Sequence, residues 1–234
     1  MIRQLDILVI GAHPDDAEIG MGGTIAKHVE AGKLVGICDL TFAEMSSNGT
    51  VALRKEEAEA AAKVLGLSVR SNLGLPDRGL SMAKEQIDEI TLAIRKYRPR
   101  VVFAPYYKDR HPDHVTCSHM VKEAVFNAKL RNYLPDTLPA HQVDHFYYYF
   151  INEIADAQLI VDTSAQFSRK TDALKAYYSQ FVARAGQAKD YVATPLNEGY
   201  LEQIELRDRL LGHKAKVKYA EGFVSELPYL VNLF

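Results

Sequence analysis

The sequence predicts an α/β fold in which a mostly parallel, Rossmann-like sheet is flanked by helices. Short apolar runs typical of buried strands alternate with longer segments of helical composition. Glycine, proline and small polar residues separate these segments and mark their ends. The chain has 234 residues, of which 47% are hydrophobic, and this is enough apolar material for one large core. We therefore expect a single domain over residues 1–234.

The first half of the chain predicts a regular alternation of four strands with four helices. The predicted strands are Leu5–Ile10, Leu34–Thr41, Ser68–Leu73 and Val101–Ala104. The predicted helices are Ile19–Ala31, Leu53–Leu65, Ile87–Tyr97 and Asp113–Lys129. Gly32 and Gly66 follow the first two helices as C-terminal stops, and Pro99 prevents the third helix from continuing.

The second half of the chain is less regular but shows no linker that would separate another domain. The predicted strands are His145–Ile151, Leu159–Asp162 and Tyr219–Val224, and the predicted helices are Phe167–Phe181 and Glu198–Leu211. Residues 182–197 contain glycine, proline and polar residues between two helices, which predicts a long loop. Loops of this length are often functional.

Composition argues against several classes of partner. The net charge of −2 gives no electrostatic basis for binding nucleic acid or anionic membranes. No apolar run reaches the roughly 18–20 residues that span a bilayer, and the first strand begins too early for a signal peptide to be expected. Cys38 and Cys117 lie far apart and form no CxxC pair, which is typical of reduced thiols. We expect a cytoplasmic protein that acts on a small molecule.

A cluster of polar side chains follows the first predicted strand. The sequence Gly11-Ala12-His13-Pro14-Asp15-Asp16 comes directly after Leu5–Ile10. His13 and Asp16 flank a proline, which fixes its own backbone angle and keeps His13 out of helical geometry. This turn can therefore direct an imidazole and a carboxylate towards one point.

A second cluster, Asp109-Arg110-His111-Pro112-Asp113-His114, follows the strand Val101–Ala104. Ligand sites of open parallel sheets lie at the carboxyl ends of the strands, so the two clusters would meet if their strands are neighbours. His114 is then the natural third metal ligand beside His13 and Asp16. Two imidazoles and one carboxylate leave a coordination position open to water, which is typical of catalytic rather than structural zinc.

The remaining side chains of the two clusters predict acid–base groups. Asp15 lies beside the expected ligand Asp16 and could take a proton from metal-bound water. His111 could donate a proton or a hydrogen bond to an oxyanion or to a leaving amine. Asp113 or Asp109 could orient His111 and hold it protonated, because a nearby negative charge raises the pKa of an imidazole. Together these groups predict an acyl-transfer reaction.

Simpler interpretations of some of these residues stay open. Asp15, Asp16 or Asp113 could serve only as helix N-caps, for which aspartate is a preferred residue. The run Gly20-Met21-Gly22-Gly23 does not match the spacing of a dinucleotide-binding loop. It favours close packing of a helix against the sheet instead.

The two clusters resemble the signatures of the PIG-L/LmbE superfamily of zinc-dependent N-acetylglucosaminyl deacetylases. Residues 12–16 and 111–114 carry this resemblance. Further segments are similar to the bacillithiol-biosynthesis branch, whose members remove acetate from N-acetylglucosaminyl malate. These segments are residues 20–26, 46–50, 54–56, 75–79 and 219–223, so the resemblance extends over the whole chain.

The resemblance implies a role for each residue of the predicted centre. It implies His13, Asp16 and His114 as ligands of one zinc ion per subunit, although ferrous iron suits the same donors. It implies Asp15 as the general base and His111 as the group that stabilises the tetrahedral oxyanion. These roles agree with the chemistry expected from residue types and spacing.

The resemblance also implies contacts to substrate and an assembly. Arg54 is implied as a contact to the anionic part of the substrate, and Arg110 is a second candidate because guanidinium groups bind carboxylates bidentately. Tyr200 resembles a pocket tyrosine that donates to the oxyanion. A homo-oligomer, either a trimer or a hexamer, is implied as well.

Other functions share parts of this pattern. A deacetylase of free N-acetylglucosamine or of chitooligomers, or an amidase of thiol–sugar conjugates, would use the same centre with a different pocket. A non-haem Fe(II) oxygenase also uses two histidines and a carboxylate, but with H-x-D spacing instead of the H-x-x-D spacing found here. A non-catalytic metal-binding module would need neither Asp15 nor His111.

Overall fold

Residues 4–182 and 191–228 are described by the computed structural model of the chain. The strands β1 to β7 are Ile7–Gly11, Val35–Thr41, Val69–Leu75, Val101–Pro105, His145–Tyr149, Leu159–Asp162 and Ala220–Val224. The helices α1 to α7 are Asp16–Glu30, Val51–Leu65, Lys84–Tyr97, Pro112–Ala128, Phe167–Ala176, Tyr178–Phe181 and Tyr200–Ala215. Within these two ranges no helix has the length and apolar character needed to cross a membrane.

The strands form one sheet in the order β3-β2-β1-β4-β5-β7-β6. Strands β1 to β5 pair in parallel, whereas β7 is antiparallel to both of its neighbours. In the centre of the sheet, Val9 lies opposite Ile37 on one side and Phe103 on the other. The predicted α/β class with a mostly parallel sheet is therefore confirmed.

Helices cover both faces of the sheet and enclose two apolar cores. Helices α3 and α4 pack on one face, where Ile90 and Met120 are fully buried. Helices α1, α2, α5 and α7 pack on the other face, where Ala61 and Leu174 are fully buried. Burial on both faces explains why the strands appear in the sequence as nearly continuous apolar runs.

Strands β1 and β4 are adjacent, although two strand–helix units separate them along the chain. The chain proceeds from β1 towards β2 and β3 on one side, and from β4 towards β5 on the other. Such a reversal leaves a crevice at the carboxyl ends of the two central strands, where open α/β sheets bind their ligands. Both polar clusters of the sequence follow these two strands.

Small residues let α1 approach the sheet closely. A Cβ atom on Gly20 would lie 2.1 Å from Cδ2 of Tyr149, and one on Gly23 would lie 2.8 Å from Cβ of Thr163. The helix is kinked at Met21, whose φ of −150° is not helical. The expected role of this glycine-rich run in helix–sheet packing is confirmed.

Every predicted helix except one differs from the observed helix by a few residues at one or both ends, and the remaining one is divided. The helix predicted over residues 167–181 is divided into α5 and α6 at Tyr177, whose ψ of 63° is not helical. Tyr177 is completely buried and donates a hydrogen bond from its hydroxyl to Oε1 of Glu18 at 2.9 Å, so a tertiary contact interrupts the helix. Helix α1 begins at Asp16, earlier than predicted, and its first turns are buried together with the acidic side chains of Asp16 and Glu18, so they lack the exposed polar face of a surface helix. Residues 183–190 of the predicted loop lie outside the described residues.

Candidate active site

The two polar clusters come together at the carboxyl ends of β1 and β4. Residues from both clusters line one cavity of about 410 Å³. Arg54 of α2 and Tyr200 of α7 reach the same cavity, together with residues that follow β3 and β5. The lining includes His13, Asp15, Asp16, Arg54, Asp77, Arg78, Arg110, His111, His114, Asn152 and Tyr200.

The predicted metal ligands face one another. Asp16 lies between the two histidines, with Oδ1 at 3.1 Å from Nε2 of His114 and Oδ2 at 3.6 Å from Nδ1 of His13. One nitrogen each from His13, His111 and His114 also lie within 4.8 Å of one another. These three imidazoles, of which His13 and His114 are buried and His111 is half-buried, could hold a metal ion such as zinc or ferrous iron, and so could a second group formed by His13, Asp77 and Asp113.

The second nitrogen of each predicted ligand histidine contacts a carboxylate. Nδ1 of His114 lies 3.0 Å from Oδ1 of Asp109. Nε2 of His13 lies 3.3 Å from Oδ1 of Asp77 and 3.4 Å from Oδ2 of Asp113. Metal-bound histidines are usually oriented by such an outer carboxylate. The donor types present therefore fit a metal, with Nδ1 of His13 and Nε2 of His114 on the side of Asp16.

Burial and charge act in opposite directions on these groups. Burial alone would lower the pKa of His114, but Asp16 and Asp109 raise it to about 9. Burial alone would raise the pKa of Asp16, but the charge and hydrogen bonds of His114 and His13 hold it well below its usual range. Asp16 is therefore an anionic donor, as a metal ligand must be.

Asp15 is held by α2 and does not cap α1. Its φ of 119° is a left-handed backbone conformation that residues with a side chain rarely adopt, and its carboxylate makes no capping hydrogen bond. Oδ2 of Asp15 instead accepts a hydrogen bond from Nη2 of Arg54 at 2.7 Å. Burial raises the pKa of Asp15 to about 7, while Arg54 opposes this rise. Strained backbone of this kind is concentrated at functional sites.

The guanidinium of Arg54 is hydrogen-bonded to other groups of the protein. Its Nε and Nη2 donate to the carbonyl oxygen of Pro14 at 3.0 and 2.7 Å, and Nη2 also donates to Asp15. Only 5% of the residue is exposed, although it reaches the cavity. We expected Arg54 to contact an anionic group of the substrate. In the structure its guanidinium instead binds the carboxylate of Asp15 and the carbonyl oxygen of Pro14.

The predicted contact between the Asp113 carboxylate and His111 does not form. The Asp113 carboxylate faces His13 and accepts hydrogen bonds from the backbone nitrogen and Nη1 of Arg78 at 3.0 and 2.8 Å. The backbone nitrogen of Asp113 donates to Nδ1 of His111 at 3.2 Å. Burial and the charges of His114 and His13 lower the pKa of His111, which is the opposite of the expected direction.

The two remaining predicted substrate residues lie on the wall of the cavity. Arg110 is exposed and forms no hydrogen bond or ion pair with the residues described by the structure. Tyr200 is buried, and its hydroxyl donates to Oδ1 of Asn152 at 2.9 Å. Since a phenol has one proton to donate, Tyr200 does not direct it towards an oxyanion in this arrangement.

Sequence reasoning missed Asp77 and Asn152. Asp77 belongs to the turn after β3 and was not distinguishable from an ordinary turn residue, yet it reaches His13. Asn152 follows β5 without a recognisable motif. Both residues follow a parallel strand at the carboxyl edge of the sheet, and this position in the sequence was the only signal that could have indicated a role in the site.

Comparison with known proteins identifies the family. A family profile described as "PIG-L: GlcNAc-PI de-N-acetylase" matches residues 8–125. A diacetylchitobiose deacetylase of Thermococcus kodakarensis is 31% identical over 231 residues, which cover 92% of this chain and 81% of that protein. The chain belongs to the PIG-L family.

Two further similar proteins match most of the chain. A probable N-acetyl-α-D-glucosaminyl L-malate deacetylase 2 of Bacillus anthracis is 25% identical over 230 residues, 89% of this chain and 94% of that protein. The solved structure of a conserved protein from Thermus thermophilus is 38% identical, with a TM-score of 0.88 and 97% of both chains covered.

PIG-L membership confirms the expected reaction class, the hydrolysis of an N-acetyl amide. The part matched by the PIG-L profile extends from β1 into α4 and contains both polar clusters. The alternatives of an iron oxygenase and of a non-catalytic binding module are not supported. Asn152 and Tyr200 lie beyond the matched part.

Proposed function

We propose that this PIG-L deacetylase is metal-dependent and removes acetate from an N-acetylglucosamine conjugate, with N-acetylglucosaminyl malate as its substrate. The observation that carries the proposal is the convergence of His13, Asp16 and His114 beside Asp15, a carboxylate that contacts neither histidine. Binding alone would not need this additional buried carboxylate.

Zinc held by His13, Asp16 and His114 would lower the pKa of bound water to about 7 and polarise the acetyl carbonyl. Ferrous iron suits the same donors. All other steps use side chains of this chain.

Asp15 is the proposed general base. It lines the cavity next to Asp16, and Arg54 holds the carboxylate in one orientation. When water attacks the acetyl carbon, the proton of that water passes to the Asp15 carboxylate. A positioned base of this kind contributes about 10²–10⁴-fold to the rate of a reaction.

His111 is the proposed oxyanion and leaving-group residue. Because its Nδ1 accepts a hydrogen bond from the backbone nitrogen of Asp113, the neutral ring carries its proton on Nε2. That Nε2–H donates a hydrogen bond to the oxyanion of the tetrahedral intermediate. When the C–N bond breaks, the leaving nitrogen takes up the proton that Asp15 received from the water, so that acetate and the free amine are formed and Asp15 is again a carboxylate.

Replacing Arg54 with lysine should lower kcat by about 100-fold, because misplacement of a catalytic group by about 1 Å costs this much. Lysine keeps the positive charge, but it lacks the planar guanidinium whose Nε and Nη2 bind Pro14 and Asp15 together. Since Arg54 acts through Asp15, the loss should be equal for N-acetylglucosaminyl malate and for free N-acetylglucosamine, with KM little changed. Steady-state kinetics on both substrates measure this. A rise in KM confined to the malyl substrate would instead support direct substrate contact.

Arg110 supports the choice of an anionic conjugate. It lies where the main cavity meets a second cavity of about 350 Å³, which is also lined by Asn152, Tyr200 and Gln203. None of the described residues that line the second cavity is acidic. Arg110 pairs with none of the described residues, and it lies beside this second cavity, whose described lining has no carboxylate. This favours a substrate that carries carboxylates, as malate does.

A neutral chitooligomer is the main competing substrate, because the relative from Thermococcus is named for diacetylchitobiose. Acetate release from N-acetylglucosaminyl malate, diacetylchitobiose and free N-acetylglucosamine, with and without added zinc, tests the proposal. We expect the malyl conjugate to be preferred and a chelator to abolish the activity.

Replacing Arg110 with glutamine should lower kcat/KM for the malyl conjugate by about 10–100-fold, as expected for the loss of a charge-assisted hydrogen bond. The value for diacetylchitobiose should stay within about 2-fold of that of the wild-type protein. Arg131→Gln, which changes an exposed arginine outside both cavities, is the matched control. Equal losses on both substrates would contradict the proposed role of Arg110 in recognising the anionic group.

A further inference from the structure

Asn152 holds a carboxylate at the edge of the candidate metal centre. Its side-chain Nδ2 donates to Oδ1 of Asp109 at 2.8 Å, and its backbone nitrogen donates to Oδ2 of Asp109 at 3.0 Å. One residue therefore binds both oxygens of the same carboxylate. Such a two-point contact fixes the plane of the carboxylate as well as its position.

Asp109 in turn sets the orientation of His114. Oδ1 of Asp109 lies 3.0 Å from Nδ1 of His114 and also accepts a hydrogen bond from the backbone nitrogen of His111 at 2.8 Å. With Nδ1 turned towards Asp109, the ring directs Nε2 towards Asp16 at 3.1 Å. The nitrogen that His114 offers to a metal thus depends on where Asp109 is held.

The orientation of the Asn152 amide follows from the same contacts. A carboxylate can only accept hydrogen bonds, so the amide must turn its NH₂ group towards Asp109. The amide oxygen then faces Tyr200, whose hydroxyl donates to it at 2.9 Å. The amide of Asn152 thereby connects the hydroxyl of Tyr200 with the carboxylate of Asp109, which contacts His114.

We propose that Asn152 is a positioning residue of the metal centre, acting through Asp109 to fix the orientation of His114. It also holds the Tyr200 hydroxyl at the wall of the cavity. This inference rests on the metal-dependent function proposed above. Asn152 lies outside the segment matched by the family profile, so the metal centre depends on the less regular C-terminal half of the chain as well as on the two motifs.

Zinc affinity tests this inference without turnover. Asn152→Ala should weaken zinc binding by about 10–100-fold, the usual effect of removing an outer partner of a metal ligand. Asn152→Asp should weaken it at least as much, because a carboxylate replaces the donor that faces Asp109. The zinc dissociation constant is measured by competition with a chromogenic chelator. The absorption spectrum of the cobalt-substituted protein should change as well, because the orientation of His114 changes.

Asn127→Ala is the matched control, since Asn127 is a buried asparagine of α4 that lines neither cavity. Its zinc affinity and cobalt spectrum should equal those of the wild-type protein. An Asn152→Ala variant that binds zinc within 2-fold of wild type, or an equal loss in Asn127→Ala, would overturn the inference. A wild-type chain that binds zinc but releases no acetate contradicts the proposed function and leaves this comparison valid.

Discussion

Replacing Asp15 with alanine is expected to lower kcat by about 10²–10⁴-fold, the range for losing a general base, while zinc affinity changes little. The reason is geometric. The Asp15 carboxylate is bound to Arg54, whereas the contacts to His13 and His114 belong to Asp16. Acetate release and zinc titration on the same preparation measure the two effects separately.

His13→Ala is the contrasting variant, and it should lose zinc together with activity. Asp15→Asn is the conservative variant: it keeps the size of the side chain and a hydrogen-bond acceptor for Arg54, but it cannot serve as a base at neutral pH. We expect it to be nearly as inactive as Asp15→Ala. If Asp15→Ala lost zinc as completely as His13→Ala, Asp15 would be a ligand and its assignment as the base would be wrong.

Replacing Lys170 with methionine is expected to lower the free energy of unfolding by about 3–5 kcal/mol, the usual effect of removing one partner of a buried ion pair. Nζ of Lys170 donates to Oδ2 of Asp208 at 2.6 Å and to Oε1 of Glu221 at 2.7 Å. All three side chains are completely shielded from solvent or nearly so. Methionine has a similar length but removes the cation from Glu221 and leaves Asp208 with Arg207 alone, whose Nε donates to Oδ1 of Asp208 at 3.1 Å. Urea unfolding at neutral pH measures the loss.

The destabilisation caused by Lys170→Met should extend to α1. Glu221 also accepts hydrogen bonds from the backbone nitrogens of Gly23 and Thr24, which follow the kink in that helix. The same helix begins at Asp16. Lys175→Met, at an exposed position of the same helix α5, should change the free energy of unfolding by no more than about 0.5 kcal/mol. A loss of unfolding free energy below about 1 kcal/mol for Lys170→Met would contradict the view that the buried carboxylates of Asp208 and Glu221 depend on the Lys170 ammonium group.

The sheet and the location of the site could be predicted from sequence because both depend on local patterns. Apolar runs buried on two faces indicate parallel strands, and a helix pattern after each strand indicates the crossover. The clusters around His13 and His114 stand directly after two such strands, so their meeting requires only that β1 and β4 be neighbours. That order is common in open α/β sheets and is present here.

The partners of individual side chains could not be predicted in the same way. Arg54 has the sequence context of a solvated residue on a helix surface, yet packing of α2 buries it against Asp15. Asp113 is next to His114 in sequence, but its carboxylate contacts His13 and Arg78. Lys170 likewise lies on a helix in a polar stretch of sequence, and only tertiary packing brings two carboxylates to it.

Residue types and spacing alone were thus sufficient to establish the α/β class, the family resemblance and the set of groups available for chemistry. They did so because hydrophobic periodicity and a His-Pro-Asp turn are properties of a few consecutive residues. The tertiary structure decided which nitrogen of each histidine faces the centre and which carboxylate orients it. Those choices depend on Asp77, Asp109 and Asn152, which come from separate loops and meet only when the strands align. Contacts across such distances in sequence are selected by packing of the whole sheet, and no local pattern encodes them.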